Sequence, residues 1–312
     1  MRSVADEVRT GLTGPGPKRL PSHLLYDELG SELFEAITHL PEYGLTRADE
    51  RILTRDAREI VGAAGIPAAV AELGSGSGRK TRWILEALGA EREARYLPID
   101  LSSSALERCR VELSSVRGVP VEPIHADYLA GLERAVDRTD HTGPLLVLFL
   151  GSTIGNFEPR EAEEFLRQVR ARLRTGDALL LGTDLVQSAS KLIPAYDDAL
   201  GVTAAFNRNL LVRLNRELGA EFDVTRFEHE ARWNDVDRRV EMHLVSREAQ
   251  RVRIGTLDLT VELEPGETIW TESSYKYAPG DPAAMGSRAG FVPGPAWTDE
   301  EWPFAETLLQ VS

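Results

Sequence analysis

The sequence predicts an α/β protein: a doubly wound sheet, accompanied by a second, α+β domain. Three observations carry that prediction. From residue 67 onward, short apolar runs alternate with amphipathic ones, the succession that folds into a sheet with helices on both faces. A glycine-rich turn, "ELGSGSG", joins the first such run to the first amphipathic one. The stretch 187–275, helical at first and β-like later, is too long for a loop between neighbouring strands, so it reads as an insertion.

The elements follow in order. The opening "MRSVADEVRTGLTGPGPKRLPSH" ends in a Gly/Pro/Lys stretch expected to form a loop or extended arm. Helical spacing then runs through Leu29, Leu33, Phe34 and Ile37 and is broken by Pro41. A second helix is expected after Thr46, which can serve as its N-cap. Next come strand "AAVAEL", helix "TRWILEALGA", strand "ARYLPIDL", helix "SALERCRVELSSV" and strand "VEPIHADY". The strongly buried strand "LLVLFLGS", the amphipathic helix "PREAEEFLRQVRARL" and the strand "GDALLLGTDL" complete this series. Residues 187–232 read as mostly helical, and "RRVEMHLVSRE", "RVRIGTLDLTVEL" and "ETIWTESSYKY" as β-like. In "TIWTESSYKY", simple alternation sets Ile269, Thr271, Ser273 and Tyr275 on one side and Trp270, Glu272, Ser274 and Lys276 on the other. That pattern alone favours a solvated polar face over a pocket wall. No internal repeat or low-complexity segment interrupts the chain.

Composition narrows the function classes. The 312 residues are 42% hydrophobic and 28% charged, ordinary for a soluble globular protein. Fifty acidic against 36 basic residues leave a formal charge of −14, and no basic patch is visible, which argues against nucleic-acid or anionic-membrane partners. Cys109 is the only cysteine, so neither an internal disulfide nor a cysteine-based zinc site can form. The histidines, at 23, 39, 125, 141, 229 and 243, have no metal-ligand spacing and read as structural or surface residues. No basic-then-apolar signal segment opens the sequence and no apolar run approaches a membrane span. A soluble, cytoplasmic protein without a metal is expected.

Four places can carry chemistry. In "VAELGSGSGRKT", glycines between a strand and a helix let backbone approach a ligand and aim helix N–H groups at negative charge. The third glycine of a dinucleotide fingerprint is misplaced, because Gly74, Gly76 and Gly78 are followed by Arg79, and no P-loop spacing fits. A bland tight turn remains an alternative. Asp100 ends the second strand, where a carboxylate can hold two ribose hydroxyls, a geometry that serves NAD and S-adenosylmethionine alike. Its alternative is a helix N-cap, a task that Ser102 or Ser103 could also perform. Asp127 and Tyr128 end the third strand, where an adenine amino group and ring face would lie. Together these favour an adenosine-bearing cofactor. Finally, "LFLGSTIGNFEP" runs a buried strand into Gly151 and Asn156; the asparagine offers donor and acceptor to an amine, or else caps the following helix.

The segments "YDELGSELFEAITHLPEYGLTR", "ELGSGSGRKT", "FLGSTIGNFEP", "LLLGTDL", "AYDDALGVTAAFNRNLL", "FEHEARWN", "RVEMHL" and "TESSYKY" closely resemble the histidine Nα-methyltransferase family of ergothioneine biosynthesis. The resemblance spans roughly 5–300 and includes the inserted domain. It implies a Rossmann-like class I methyltransferase sheet over 48–186 plus 276–312, and an amino-acid-binding domain over 1–47 plus 187–275. The implied reaction carries methyl groups from S-adenosylmethionine to histidine, three in succession, giving hercynine. The implied cofactor contacts are Tyr43, Gly74, Lys80, Asp100, Asp127 and Tyr128. The implied substrate contacts are Tyr26, Phe34, Tyr43, Gly151, Asn156, Tyr196, Met242, Glu272 and Ser274, with the last pair on the imidazole. Asn156 and Tyr43 would position rather than catalyse, and a monomer is expected. Two departures from the family pattern are Gly44 after Tyr43 and Leu25 before Tyr26.

The chemistry agrees with such a residue set. Methyl transfer to an amine is an in-line displacement that needs proximity and a free lone pair more than a strong acid or base. Plainer roles stay open: Met242 as core filler, Tyr26 and Tyr196 as buried tyrosines, Lys80 as a solvated first-turn residue. So do two further functions, namely a methyltransferase for another free amino acid or amine, and a catalytically silent nucleotide-binding protein.

Overall fold

The computed structural model describes residues 3–139 and 143–312, so His141 lies outside the described residues. The chain divides into two compact units: Met1–Gly44 with Gln187–Tyr275, and Leu45–Val186 with Lys276–Ser312.

The first unit opens with α1 (Val4–Thr13), whose N-cap Ser3 accepts from the Asp6 N–H, and the short β1 (Lys18–Arg19). Asp27 caps α2 (Glu28–Thr38) by accepting from the Gly30 N–H at 2.8 Å. Helix α3 (Gly44–Ala63) starts two residues before the expected cap, so Thr46 lies inside its first turn. Burial decides this start, since Leu45, Thr46 and Ala48 all pack inside.

The second unit continues with β2 (Ala69–Leu73), α4 (Arg82–Glu91), β3 (Arg95–Asp100) and α5 (Ser103–Glu112). The expected strand over "VEPIHADY" shrinks to β4 (Ile124–His125). Tyr128 does not end a strand; it opens α6 (Tyr128–Arg138), a helix absent from the sequence reading. The cause is local: Asp127 accepts from the Ala130 N–H at 2.9 Å, and Gly131, Leu132 and Ala135 form the buried stripe of the helix. Then follow β5 (Leu145–Phe149), α7 (Pro159–Arg172) and β6 (Ala178–Asp184).

The chain returns to the first unit with α8 (Ala189–Tyr196) and α9 (Val202–Leu218). The run read as helical to 232 turns extended earlier, as β7 (Phe227–Asn234), followed by β8 (Arg239–Ser246), β9 (Gln250–Ile254), β10 (Leu259–Leu263) and β11 (Thr268–Tyr275). The second unit closes with α10 (Asp281–Arg288), β12 (Val292–Thr298) and β13 (Phe304–Gln310).

The second unit holds a seven-stranded sheet in the order β12-β13-β6-β5-β2-β3-β4. Its strands run parallel except β13, which is antiparallel to both β6 and β12. Both β2 and β5 are buried along their whole length, as expected where helices cover each face. The strand order reverses between β2 and β5, which makes the carboxyl edge there the place for a ligand. The first unit holds a four-stranded sheet, β1-β11-β8-β7, and a separate β9-β10 hairpin.

Strand β11 departs from simple alternation. Its register against β8 runs Ile269↔Leu244 and Trp270↔His243, then skips to Glu272↔Met242 and Ser274↔Val240. One extra residue, Thr271, makes a β-bulge, and the bulge exchanges the faces beyond it. Glu272 and Ser274 therefore share the face of Ile269, not that of Trp270 as alternation predicts. They are 7% and 5% exposed. Trp270 instead joins Tyr275 on the other face, where the Arg239 guanidinium covers both rings.

Candidate active site

At the carboxyl edge of the second unit, Gly74, Gly76 and Gly78 all have positive φ (74°, 52° and 68°), which favours glycine at each. A Cβ on Gly74 would come within 3.2 Å of the Tyr128 ring, and one on Gly78 within 2.6 Å of the Cys109 sulfur. At Gly76 it would meet nothing within 4 Å, so the middle of the turn faces open space. Asp100 accepts from the Gly76 N–H at 3.0 Å on one oxygen and from the Ser102 N–H at 2.8 Å on the other. Ser102 caps α5 by accepting from the Ala105 N–H, so Asp100 is not the helix cap. A carboxylate has about four acceptor sites, so two remain for a ribose diol.

Lys80 is not a solvated residue. Its side chain is 22% exposed and pairs with the fully buried Asp49, whose Oδ2 also accepts from the Gly151 N–H at 3.1 Å. Burial pulls the ammonium down, but Asp49 outweighs it and the Lys80 pKa ends raised. Two more buried carboxyl groups complete this cluster. Glu72 accepts from the Thr81 hydroxyl at 2.6 Å and from the Tyr96 hydroxyl, and burial pushes its pKa up to about 7. Glu306, wholly inside β13, is held well above the carboxylate range by burial first and then by Asp49. Asp49 and Glu306 belonged to no sequence motif. The one available signal was a glutamate inside the apolar run "FAETLLQV".

Asn156 ends a short 3₁₀ turn, Thr153–Asn156, entered through Ser152 at φ 58°. The cap of α7 is Glu158, reciprocally bonded with Glu161, so the helix-cap alternative for Asn156 fails. The Tyr128 ring packs edge-on against Phe149 and Phe165 at 5.4 and 6.0 Å. A surface hollow of about 390 Å³ along α3, lined by Arg47, Glu50, Arg51, Thr54 and Arg55, contains none of these residues.

In the first unit, the expected substrate residues form one connected set. Tyr26 touches Phe34 (ring centroids 5.4 Å), Phe34 touches Tyr43 (6.3 Å), and Tyr43 touches Tyr196 (6.2 Å). The Tyr196 hydroxyl bonds the Ser274 hydroxyl at 2.8 Å, and the Tyr26 hydroxyl donates to Glu272 Oε1 at 3.4 Å. Met242 lies directly opposite Glu272 and is buried. Phe206 on α9, which the sequence reading missed, packs against both Tyr26 and Phe34 at 5.4 and 5.9 Å. The plain buried-tyrosine role is thus true of Tyr196 in part, yet its hydroxyl reaches another expected site residue. Gly151 and Asn156 belong to the second unit, with the cofactor residues; Tyr43 belongs to the first.

A strand order reversing at a glycine turn, with acidic side chains at the neighbouring strand ends, defines the class: a Rossmann-like sheet that takes an adenosyl cofactor. Comparison with known proteins gives the family. The profile described as histidine-specific methyltransferase, SAM-dependent, matches residues 4–311. A histidine N-alpha-methyltransferase of Mycolicibacterium smegmatis is 44% identical, covering 97% of this chain and 93% of that one. One of Mycobacterium tuberculosis is also 44% identical, over 94% and 90%. An L-tryptophan methyltransferase of Psilocybe serbica is 28% identical, over 96% and 90%. The chain belongs to the family of histidine-specific, S-adenosylmethionine-dependent methyltransferases. The fold class, the cofactor and the enzyme class expected from the sequence are borne out.

Proposed function

We propose that the chain methylates the α-amino nitrogen of free L-histidine three times, giving hercynine, with residues of the second unit holding the cofactor and residues of the first recognising the ring of the amino acid. The observation that carries this reading is the bulge in β11, which turns a carboxylate and a hydroxyl two residues apart into one buried face. A carboxylate on a buried face accepts strong, charge-assisted hydrogen bonds, and an imidazole N–H is a donor of matching chemistry.

The second unit fits an adenosyl amino acid by its donor set. Asp100 takes the ribose hydroxyls, the Lys80 ammonium faces a carboxylate, and the open space at Gly76 admits a ligand against backbone. When bound, S-adenosylmethionine supplies a methyl group on a sulfonium. Asn156 accepts an amine N–H, orients the lone pair, and adds no charge that would hold the amine protonated.

In the first unit the 2.8 Å Tyr196–Ser274 bond constrains the roles, because two hydroxyl protons cannot serve three acceptors. When Tyr196 donates to the substrate carboxylate, Ser274 donates to Tyr196 and faces the ring as an acceptor. That suits an imidazolium, with one N–H on Glu272 and the other on Ser274. Tyr26, Phe34 and Phe206 supply the flat walls.

We also take the protein to be cytoplasmic and monomeric; light scattering would read the oligomeric state, and cell fractionation the location. Among the described residues no helix is long and apolar enough to cross a membrane. The function itself is tested by incubating the protein with S-adenosylmethionine and a panel of free amino acids that includes tryptophan, read by mass spectrometry. Histidine gaining three methyl groups is expected. Preferential methylation of another amino acid overturns the substrate.

A further inference from the structure

His229, on β7, has a side chain only 1% exposed and none of the roles described so far. Its Nε2 lies 2.7 Å from the carbonyl oxygen of Tyr196, and its Nδ1 lies 2.9 Å from Asn207 Nδ2 on α9. The same Asn207 nitrogen donates to the backbone carbonyl of His243 at 3.2 Å. These contacts settle the proton positions. The His243 carbonyl can only accept, so the amide nitrogen of Asn207 must face it, and its second hydrogen points at His229 Nδ1. Nδ1 therefore accepts. The Tyr196 carbonyl also only accepts, so Nε2 carries the hydrogen and donates. The ring is neutral and locked in one tautomer.

Burial agrees with this, pulling the His229 pKa below its ordinary range, although the Asp197 carboxylate stands 3.9 Å from Nε2. Tyr196 is the last residue of α8, and the last carbonyls of a helix lack partners within it. His229 caps one of them at the residue whose hydroxyl bonds Ser274.

We infer that His229 is a positioning residue: as a neutral Nε2–H donor backed by Asn207, it fixes the end of α8 so that the Tyr196 hydroxyl is set for the amino-acid substrate. This rests on the proposed substrate role of Tyr196. Losing the bond frees the α8 terminus to fray, so acceptor recognition suffers while the cofactor residues, all but Tyr43 in the other unit, do not.

Two polar replacements separate this from a merely structural role. In His229→Gln the amide nitrogen reaches the position of Nε2 and can donate to Tyr196; in His229→Asn only the Nδ1 side is reproduced. The KM for the amino-acid acceptor is expected to rise roughly tenfold in His229→Asn, the worth of about one hydrogen bond, and to stay within about threefold in His229→Gln. Affinity for S-adenosylhomocysteine should be unchanged in both. Nitrogen chemical shifts of the wild-type imidazole should show a protonated Nε2 and a bare Nδ1. Equal KM values in the two variants, parallel loss of S-adenosylhomocysteine affinity, or a protonated Nδ1 would each overturn the inference. Wild-type protein that fails to methylate histidine overturns the substrate reading alone, because the tautomer and the split between variants are still read with whichever acceptor turns over.

Discussion

Around the glycine turn of the second unit the polar groups are ionisable and crowded; around the tyrosines of the first unit they are mostly neutral and spread along the chain. The turn gathers Lys80, Asp49, Glu72 and Glu306 in the interior, and burial answers by keeping Glu72 and Glu306 protonated far above the usual carboxylate range. One cation, Lys80, is left with one committed anion, Asp49. The first unit brings together hydroxyls of Tyr26, Tyr196 and Ser274 with the Glu272 carboxylate, and burial holds His229 and His243 below their ordinary range. The contrast fits two ligands. Under the proposed function, a cofactor carrying its own charges meets fixed charges and backbone, whereas an amino acid told apart from others by its ring meets flat walls and a charged acceptor.

The difference can be probed by titration, with the largest effect expected at Glu72. Its pKa rises from 4.5 to about 7 on folding, so the folded chain binds this proton more tightly than the unfolded one. Its contribution to stability is therefore complete below about 4.5 and is lost as pH climbs to about 7. Glu72→Gln removes that dependence. Relative to wild type, the variant should gain about 3 kcal/mol over this window in denaturant melts, as the linkage relation requires for a fully buried group. Parallel stability curves for the two proteins would show that Glu72 is already ionised in the fold.

A smaller effect belongs to the first unit. Ser274→Ala removes the partner of the Tyr196 hydroxyl and one contact to the ring, and should raise the KM for histidine roughly tenfold with little change in melting temperature. A melting temperature that falls with KM unchanged would make Ser274 structural. The smallest effect is expected at Glu306. Because this group is neutral in the fold, Glu306→Gln should alter stability by no more than about 1 kcal/mol at neutral pH. A loss of several kcal/mol would mean that Glu306 is ionised beside Lys80.

The two units also differed in how much of them the sequence revealed. The cofactor turn is local: Gly74, Gly76 and Gly78 lie within one turn and Asp100 at the next strand end, so spacing alone placed them. Asp49 and Glu306 escaped because their contacts with that turn cross α3 and β13, far away in sequence. Helix α6 escaped because "HADY" continues a strand pattern, and the competing signal, Asp127 as a cap, was read as a ligand. In the first unit, Tyr26, Phe34, Tyr43, Tyr196, Glu272 and Ser274 are scattered over nearly the whole chain, and only resemblance to a family collected them. The bulge at Thr271 was illegible, since period-two reasoning has no means to foresee an inserted residue. That one residue decides which face Glu272 occupies.

The central claim, that Glu272 recognises the ring of histidine while Asp100 serves the cofactor, reduces to one crossed calorimetric titration. Wild type, Glu272→Ala and Asp100→Ala are each titrated with histidine and with S-adenosylhomocysteine. Glu272→Ala should lose histidine affinity by about 2–3 kcal/mol, the range of a charge-assisted hydrogen bond, and bind S-adenosylhomocysteine as wild type does. Asp100→Ala should show the reverse pattern. Histidine affinity untouched by Glu272→Ala, or both ligands weakened equally by either substitution, would contradict the account.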